Sequence, residues 1–214
     1  MKDLKGLFYR DWNNDHVIEV LKETFMENIY EPYIKKDMVV VEIGANLGIF
    51  TLWAYQYASK IIAVEPSSEH FDTLMHMLTF NNMLDKVVPI QKAISNEEGK
   101  AKFYHNTNTT CYSLSDAIQM PDLEVEEVEM ITLETLLKDI PHVDIMNLDI
   151  EGFESRVLAH EAFDKVAPKI DTIVVEHHQW CGVTQNQLVA SIADRGFKVI
   201  KANTKADVFI GTKI

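Results

Sequence analysis

The sequence predicts a three-layer α/β domain, and three observations carry that prediction. Residues Met38 to Ile43 are apolar at five of six positions, as a parallel strand covered on both faces requires. The strand runs straight into Gly44-Ala45-Asn46-Leu47-Gly48 and then an apolar stretch, Ile49 to Ala58, with helical character. Further apolar runs then alternate with helix-patterned segments up to a closing pair, Phe197–Lys201 with Val208–Gly211.

Taken in order, Asp15 can cap a helix from His16 to about Ile29, with Val17, Val20, Leu21 and Thr24/Phe25 on one face, before Glu31-Pro32-Tyr33 interrupts it. Residues 1–36 are thus expected to be a helical extension that packs on the sheet edge and acts as a partial lid, and residues 37–214 the main domain. Ile61 to Glu65 is a second strand. Ser67 or Ser68 caps the helix after it, whose buried stripe is Phe71, Leu74, Met75 and Leu78, with Met77 beside it, and which ends near Asn81-Asn82. Val87 to Ile94 reads as one strand made imperfect by Pro89, followed by a turn at 95–99 and a return strand, Ala101 to His105. Residues 105–122 are polar and turn-prone, too long for a simple connection and suited to a substrate-facing or surface loop. Leu123 to Ile131 alternates acids with apolar residues and reads as an exposed strand rather than an acidic binding tract. A short helix after Thr132 stops near Pro141, and Val143 to Asp149 is the fourth main strand. A helix from Glu154 to Val166, a fifth strand from Ile170 to Glu176, and a helix from Thr184 to Arg195 closed by Gly196 complete the pattern.

Composition narrows the function. A net charge of −13, with basic residues scattered and no run beyond Lys35-Lys36, disfavours nucleic acid and anionic membrane surfaces as partners. No apolar run approaches the roughly 20 residues that span a bilayer, and residues 1–11 have no continuous apolar signal core, so a cytoplasmic location is expected. Cys111 and Cys181 form neither a metal-ligand spacing nor a disulfide framework.

In open parallel sheets the ligand lies beyond the carboxyl ends of the strands. The polar groups at those ends are Glu42, Glu65, Asn147, Asp149, Glu151, Glu176, His177 and His178. The glycine turn frees the backbone for close ligand approach, and Glu65, 17 residues after Gly48, is placed to bind both ribose hydroxyls of an adenosine. The spacing Glu42-x-Gly44-x-x-x-Gly48 differs from the Gly-x-Gly-x-x-Gly of dinucleotide sites.

Four stretches in order, Val-Val-Glu-Ile-Gly-Ala-Asn-Leu-Gly, Ala-Val-Glu-Pro-Ser, Lys-Ala-Ile-Ser-Asn-Glu-Glu-Gly and Asn-Leu-Asp-Ile-Glu-Gly-Phe-Glu, span about residues 38–158. In these the chain resembles the FkbM-like family of class I S-adenosylmethionine (SAM) methyltransferases. The resemblance implies a Rossmann-like fold with a mostly parallel seven-stranded sheet and one antiparallel strand, SAM as cofactor, and O-methylation of a small-molecule or sugar hydroxyl. It implies that Glu42, Gly44, Ala45, Asn46 and Gly48 cradle the methionine part of SAM, Glu65 and Pro66 the ribose side, and Ala93 and Ile94 the adenine. Asp149 is expected to orient the substrate hydroxyl or hold the SAM amino group. The family's usual pattern has a lysine at the position of Asn147, so a charge-dependent role there is in doubt.

Val174 to Trp180 ends the fifth strand in Glu176-His177-His178. An imidazole with a pKa near 6.5 is a natural general base for a hydroxyl, and His178 is favoured over His177 for that task. Asp149, Glu176 and His178 are therefore the expected catalytic residues. The alternative is that Asp149, Glu176 and one histidine hold a divalent metal that acidifies the hydroxyl, although no ligand spacing specifies one. Glu154 is expected to be a helix-start acid, Glu151 either that or a site residue, and His70 to carry no chemistry. Two other readings compete: an N-methyltransferase acting on protein or RNA, and a non-catalytic methyltransferase-fold partner subunit.

Overall fold

A computed structural model describes residues 29–105, 112–114, 124–204 and 206–214. All but the last residue of the helix expected from His16 to about Ile29, and most of the expected loop at 105–122, lie outside the described residues. The strands are β1 (Met38–Ile43), β2 (Ala58–Val64), β3 (Val87–Ile90), β4 (Ala93–Ile94), β5 (Gly99–His105), β6 (Tyr112–Ser113), β7 (Glu124–Ile131), β8 (Val143–Leu148), β9 (Ile170–Glu176), β10 (Phe197–Lys201) and β11 (Val208–Lys213). The helices are α1 (Ile49–Ala54), α2 (Ser68–Phe80), α3 (Leu133–Leu136), α4 (Glu154–Ala159), α5 (Glu161–Val166) and α6 (Gln185–Ala193).

Among the described residues, seven strands form one sheet in the order β10-β11-β9-β8-β1-β2-β3. β11 runs antiparallel to both β9 and β10, while the β9-β8-β1-β2-β3 pairings are parallel. This is the mostly parallel seven-stranded sheet with one antiparallel strand that the family resemblance implies. Strand alternation divides the core in two. Val41, Ile43, Ile62 and Val64 face Val157, Leu158, Phe163, Leu188 and Ile192 of α4–α6. Val40, Ile61, Ala63 and Ile145 face Phe50, Trp53, Leu74 and Leu78 of α1 and α2. Both faces of β1 are therefore buried, which is why its sequence is nearly all apolar.

Two expected elements are divided. Val87 to Ile94 is not one strand. Pro89 has no N–H to give a further neighbour, so β3 forms the sheet edge. The chain then turns at Lys92, whose N–H donates to the Ile90 carbonyl at 3.1 Å, and Ala93–Ile94 pair with β7 in a second sheet. That four-stranded sheet, β4-β7-β5-β6, has its own small core of Ala93, Phe103, Val128 and Met130, and β6 arises within the stretch expected to be irregular. The helix expected over 154–166 breaks at His160, whose extended backbone ends α4 and whose Nδ1 accepts from the Ala162 N–H at 3.2 Å to cap α5.

α6 starts in a capping box. The Thr184 hydroxyl accepts from the Gln187 N–H at 3.3 Å, and Gln187 Oε1 accepts from the Thr184 N–H at 2.9 Å. Thr184→Ala is expected to cost about 1 kcal/mol. That lowers the melting temperature by about 2–4 °C in a chain of this size. An unchanged melt would show that the cap contributes nothing.

Candidate active site

Chain direction puts the carboxyl ends of β1, β2, β8 and β9 on one rim, and the turns there carry the unusual backbone. Gly44, Asn46 and Gly48 all have positive φ, of 85°, 49° and 84°. Gly44 needs its missing side chain, because a Cβ there would lie 1.7 Å from the Asp149 carbonyl oxygen. At Gly48 a Cβ would meet only the movable side-chain ends of Met77 and Leu74 of α2, at 2.5 and 2.6 Å, so its φ of 84° is the stronger demand for glycine. The turn holds Glu65 in place: its Oε2 accepts from the Asn46 N–H and its Oε1 from the Ser67 N–H, both at 2.8 Å.

Two adjoining clefts share Gly44, Pro66 and Ile150. One is apolar, lined by Ile43, Val64, Ala93, Ile94, Leu114 and Phe153. The other is polar, lined by Asn46, Glu65, His70, Phe103, Asp149 and Glu151. Of the expected cofactor residues, Gly44, Asn46, Glu65, Pro66, Ala93, Ile94 and Asp149 line these clefts, and Glu42, Ala45 and Gly48 do not. Glu42 is buried beneath the turn, where its Oε2 accepts from the Thr51 hydroxyl of α1, and Ala45 packs into the α1–α2 core. Burial pushes the Glu42 carboxyl up to about 8 against the opposing Thr51 bond. Burial likewise pushes Glu65 up to about 7, against the Ser67 and Asn46 N–H bonds that favour its ionised form.

Asn147 neighbours Glu42 across the β1–β8 ladder and accepts from the Tyr30 hydroxyl at 3.0 Å. Tyr30 itself is buried against Phe50 and Trp53, with ring centroids at 4.6 and 5.1 Å.

The two adjacent histidines part company. His177 is buried, with its Nε2 2.7 Å from the Val183 carbonyl and its ring edge-on to Phe209. His178 turns to the rim, where four carboxylates surround it. Its Nδ1 stands 3.0 Å from Glu154 Oε1, and its Nε2 stands 3.2 Å from Glu151 Oε2 and 3.9 Å from both Asp149 Oδ1 and Glu176 Oε1. Burial works against a charge on His178. Hydrogen bonds to Glu151 and Glu154, with the charges of Glu154 and Asp149, outweigh it and push the imidazole up to about 12. Burial first, then the Glu176 and Glu151 charges, hold the Asp149 carboxyl well above the usual carboxylate range. An imidazole this strongly held as the cation does not take up a proton near neutral pH, contrary to the general-base expectation for this residue in this arrangement.

Three contributors were not expected from sequence. Glu154 is 1% exposed, and its carboxylate accepts from the Ile150 N–H at 2.9 Å and the Gly152 N–H at 3.0 Å besides facing His178. It ties together the turn in which Glu151 and Gly152 both take positive φ. The available signal was that turn: two residues off the helical path leave N–H groups that need an acceptor. His70 is buried with its Nδ1 4.0 Å from Glu65 Oε1, a placement hidden in an ordinary helix pattern. Trp180 lies over Gly152, where a Cβ would come within 2.6 Å of the indole.

Comparison with known proteins agrees with this geometry. A family profile described as the methyltransferase FkbM domain matches residues 42–199. The methyltransferase sdnD of Sordaria araneosa is 23% identical over 218 residues, covering 85% of this chain and 82% of that protein. The 31-O-demethyl-FK506 methyltransferase FkbM of Streptomyces tacrolimicus is 25% identical over 228 residues, covering 90% and 85%. Among solved structures, precorrin-6y C5,15-methyltransferase from Geobacter metallireducens GS-15 superposes with a TM-score of 0.50 at 15% identity, over 98% of this chain and 92% of that one. TrmK of M. capricolum, in complex with S-adenosyl-homocysteine (SAH), superposes with a TM-score of 0.51 at 10% identity, over 88% and 68%. The fold is that of SAM-binding methyltransferases, and the chain belongs to the FkbM methyltransferase domain family.

Proposed function

We propose that the protein transfers the SAM methyl group to a hydroxyl oxygen of a small molecule or sugar. The observation that carries this reading is the continuity of the polar cleft at Gly44, Asn46 and Glu65 with the Asp149–Glu151–His178 cluster on the same rim. The donor set fits SAM. Among the described residues, Asn46 Oδ1 is enclosed and has no hydrogen-bond partner, an acceptor suited to the ammonium of the methionine end. The second lone pair of each Glu65 oxygen suits the ribose hydroxyls, and the slot between Pro66, Ala93, Ile94 and Phe153 suits a flat heteroaromatic ring.

When bound, SAM supplies an electrophilic methyl on a sulfonium. The residues of the chain then need only bring an oxygen in line and draw off its proton. Asp149, Glu151 and Glu176 present carboxylates where the acceptor hydroxyl would donate, and Glu154 keeps His178 oriented among them. The name of one relative, a 31-O-demethyl-FK506 methyltransferase, supports oxygen as the acceptor atom, and the net charge of −13 supports an acceptor other than nucleic acid.

Transfer of labelled methyl from SAM to a panel of hydroxylated metabolites and sugars tests the reading, with protein and RNA acceptors alongside. A methyl ether product supports it. Transfer confined to nitrogen acceptors, or no SAH binding by a folded sample, overturns it.

Glu65 gives a sharper expectation. Glu65→Ala should weaken SAH binding by about 1–3 kcal/mol, the scale of hydrogen bonds to a charged group. Ribose hydroxyls donate best to the ionised carboxylate, so wild-type affinity should fall as pH drops from 8 to 6 through a Glu65 pKa near 7. Glu65→Gln should flatten that slope. A calorimetric pH series showing the same slope in both proteins would remove Glu65 from the ribose site.

The same burial has a consequence for stability. Glu42 and Glu65 have folded pKa values raised above those of the unfolded chain, so the unfolded state releases its protons first as pH rises. Their contribution to stability therefore falls between about pH 4.5 and 8 and levels off above that.

A further inference from the structure

We propose that Asp149, Glu151 and His178 bind one divalent cation of the Mn²⁺ or Mg²⁺ kind, which ligates the acceptor hydroxyl. This rests on the methyltransferase reading for its role, though not for its geometry. One ligand atom each from Asp149, Glu151 and His178 lie within 4.8 Å of one another. Ligands of an octahedral ion at about 2.1 Å stand about 3.0 Å apart when adjacent and about 4.2 Å when opposite. The His178 Nε2 separations of 3.2 Å to Glu151 and 3.9 Å to Asp149 fall inside that range.

Two further observations point to a ligand. Asp149 Oδ1 is enclosed among these groups without a hydrogen-bond partner among the described residues, which leaves its lone pairs to be satisfied by something else. The buried Glu154 carboxylate takes the His178 Nδ1–H, the carboxylate–histidine arrangement that fixes a ring so that its other nitrogen can ligate a metal, which takes the place of the Nε2 proton released as it binds. One imidazole with two carboxylates, completed by water, suits Mn²⁺ well and Mg²⁺ acceptably.

A second cluster, His142, Asp144 and Asp171, lies at the opposite ends of the strands, and its cation position is already taken. Lys35 Nζ stands 2.8 Å from Asp171 and 3.6 Å from Asp144, and Asp144 Oδ2 accepts from the Val39 N–H.

With the cation in place, the acceptor hydroxyl binds as an additional ligand and loses its proton to water at the cleft mouth. The alkoxide oxygen forms the O–CH₃ bond as the S–CH₃ bond breaks, and the sulfonium leaves as the neutral thioether.

The test is Mn²⁺ titration of the purified full chain, followed by electron paramagnetic resonance and calorimetry, with SAH binding measured separately on the metal-free protein. The expected result is one Mn²⁺ per chain carrying a directly bound imidazole nitrogen. In Glu151→Gln and His178→Gln the affinity should fall by about 100-fold or more, and His178→Gln, whose ring does not line the cofactor cleft, should keep its SAH affinity. For comparison, loss of a mere supporting contact to a ligand costs 10–100-fold. The nitrogen coupling should vanish in His178→Gln. SAH binding without saturable Mn²⁺ binding would overturn the metal site and leave the methyltransferase reading standing. Mn²⁺ binding that both substitutions leave unchanged would also overturn it, by placing the ion elsewhere. Mn²⁺ bound at His178 in a protein that does not bind SAH would uphold the site and overturn the methyltransferase reading.

Discussion

Gly44→Ala is expected to lower stability by about 3 kcal/mol or more and to abolish measurable SAH binding. An alanine at φ 85° is strained by about 1 kcal/mol before any contact is considered. Its Cβ would then stand 1.7 Å from the Asp149 carbonyl oxygen, and that neighbour is backbone, which cannot rotate away. The ends of β1 and β8 would have to separate, stretching the 3.0 Å bond from the Asp149 N–H to the Ile43 carbonyl. That junction joins the cofactor turn to the catalytic rim, so both should suffer together. At about 2–4 °C per kcal/mol, the melting temperature should fall by at least about 6 °C. A variant that melts within 2 °C of the parent and binds SAH normally would show that the turn can open without cost.

The parts of the fold legible in sequence are those whose cause is local. Met38–Ile43 must be apolar because helices cover both faces of β1, and Gly44 must be glycine because of one backbone contact. Thr184 and Gln187 announce a helix start by their spacing alone. What was not legible depends on groups distant in sequence. Ala93–Ile94 leave the main sheet because β7, some 37 residues later, offers them a parallel partner. His160 breaks a helix whose apolar pattern continues straight through it, because its ring finds the Ala162 N–H.

The site shows the same division. Glu65 is readable from its distance to the glycine turn, and the structure adds the two N–H groups that aim it. Glu154 reads as an ordinary acid in a first helical turn, which is favourable at a surface. Its burial and its pairing with His178 across 24 residues are properties of the packed α4–β9 junction. His178 was legible as a site residue. Its state was not, because that state is set by four carboxylates from two separate segments, residues 149–154 and the end of β9, and only folding assembles them.

His178→Ala is expected to leave SAH affinity within about twofold of the parent and to slow methyl transfer by about 10²–10³-fold, the usual range for losing one group that holds charge in place at the reacting atom. Affinity is preserved because the cofactor contacts do not pass through this ring. Glu65 is held by Asn46 and Ser67, and the apolar slot is lined by Pro66, Ala93, Ile94 and Phe153. Rate is lost because Nε2 faces Asp149, Glu151 and Glu176, so its removal leaves three carboxylates to repel one another where the acceptor hydroxyl must sit. The loss should therefore appear in kcat more than in the KM for SAM. Glu154→Gln should fall between the two proteins, because the ring is kept while the group that orients it is weakened. A His178→Ala enzyme that turns over at the parental rate would take His178 out of the reaction and leave the carboxylates alone to handle the proton.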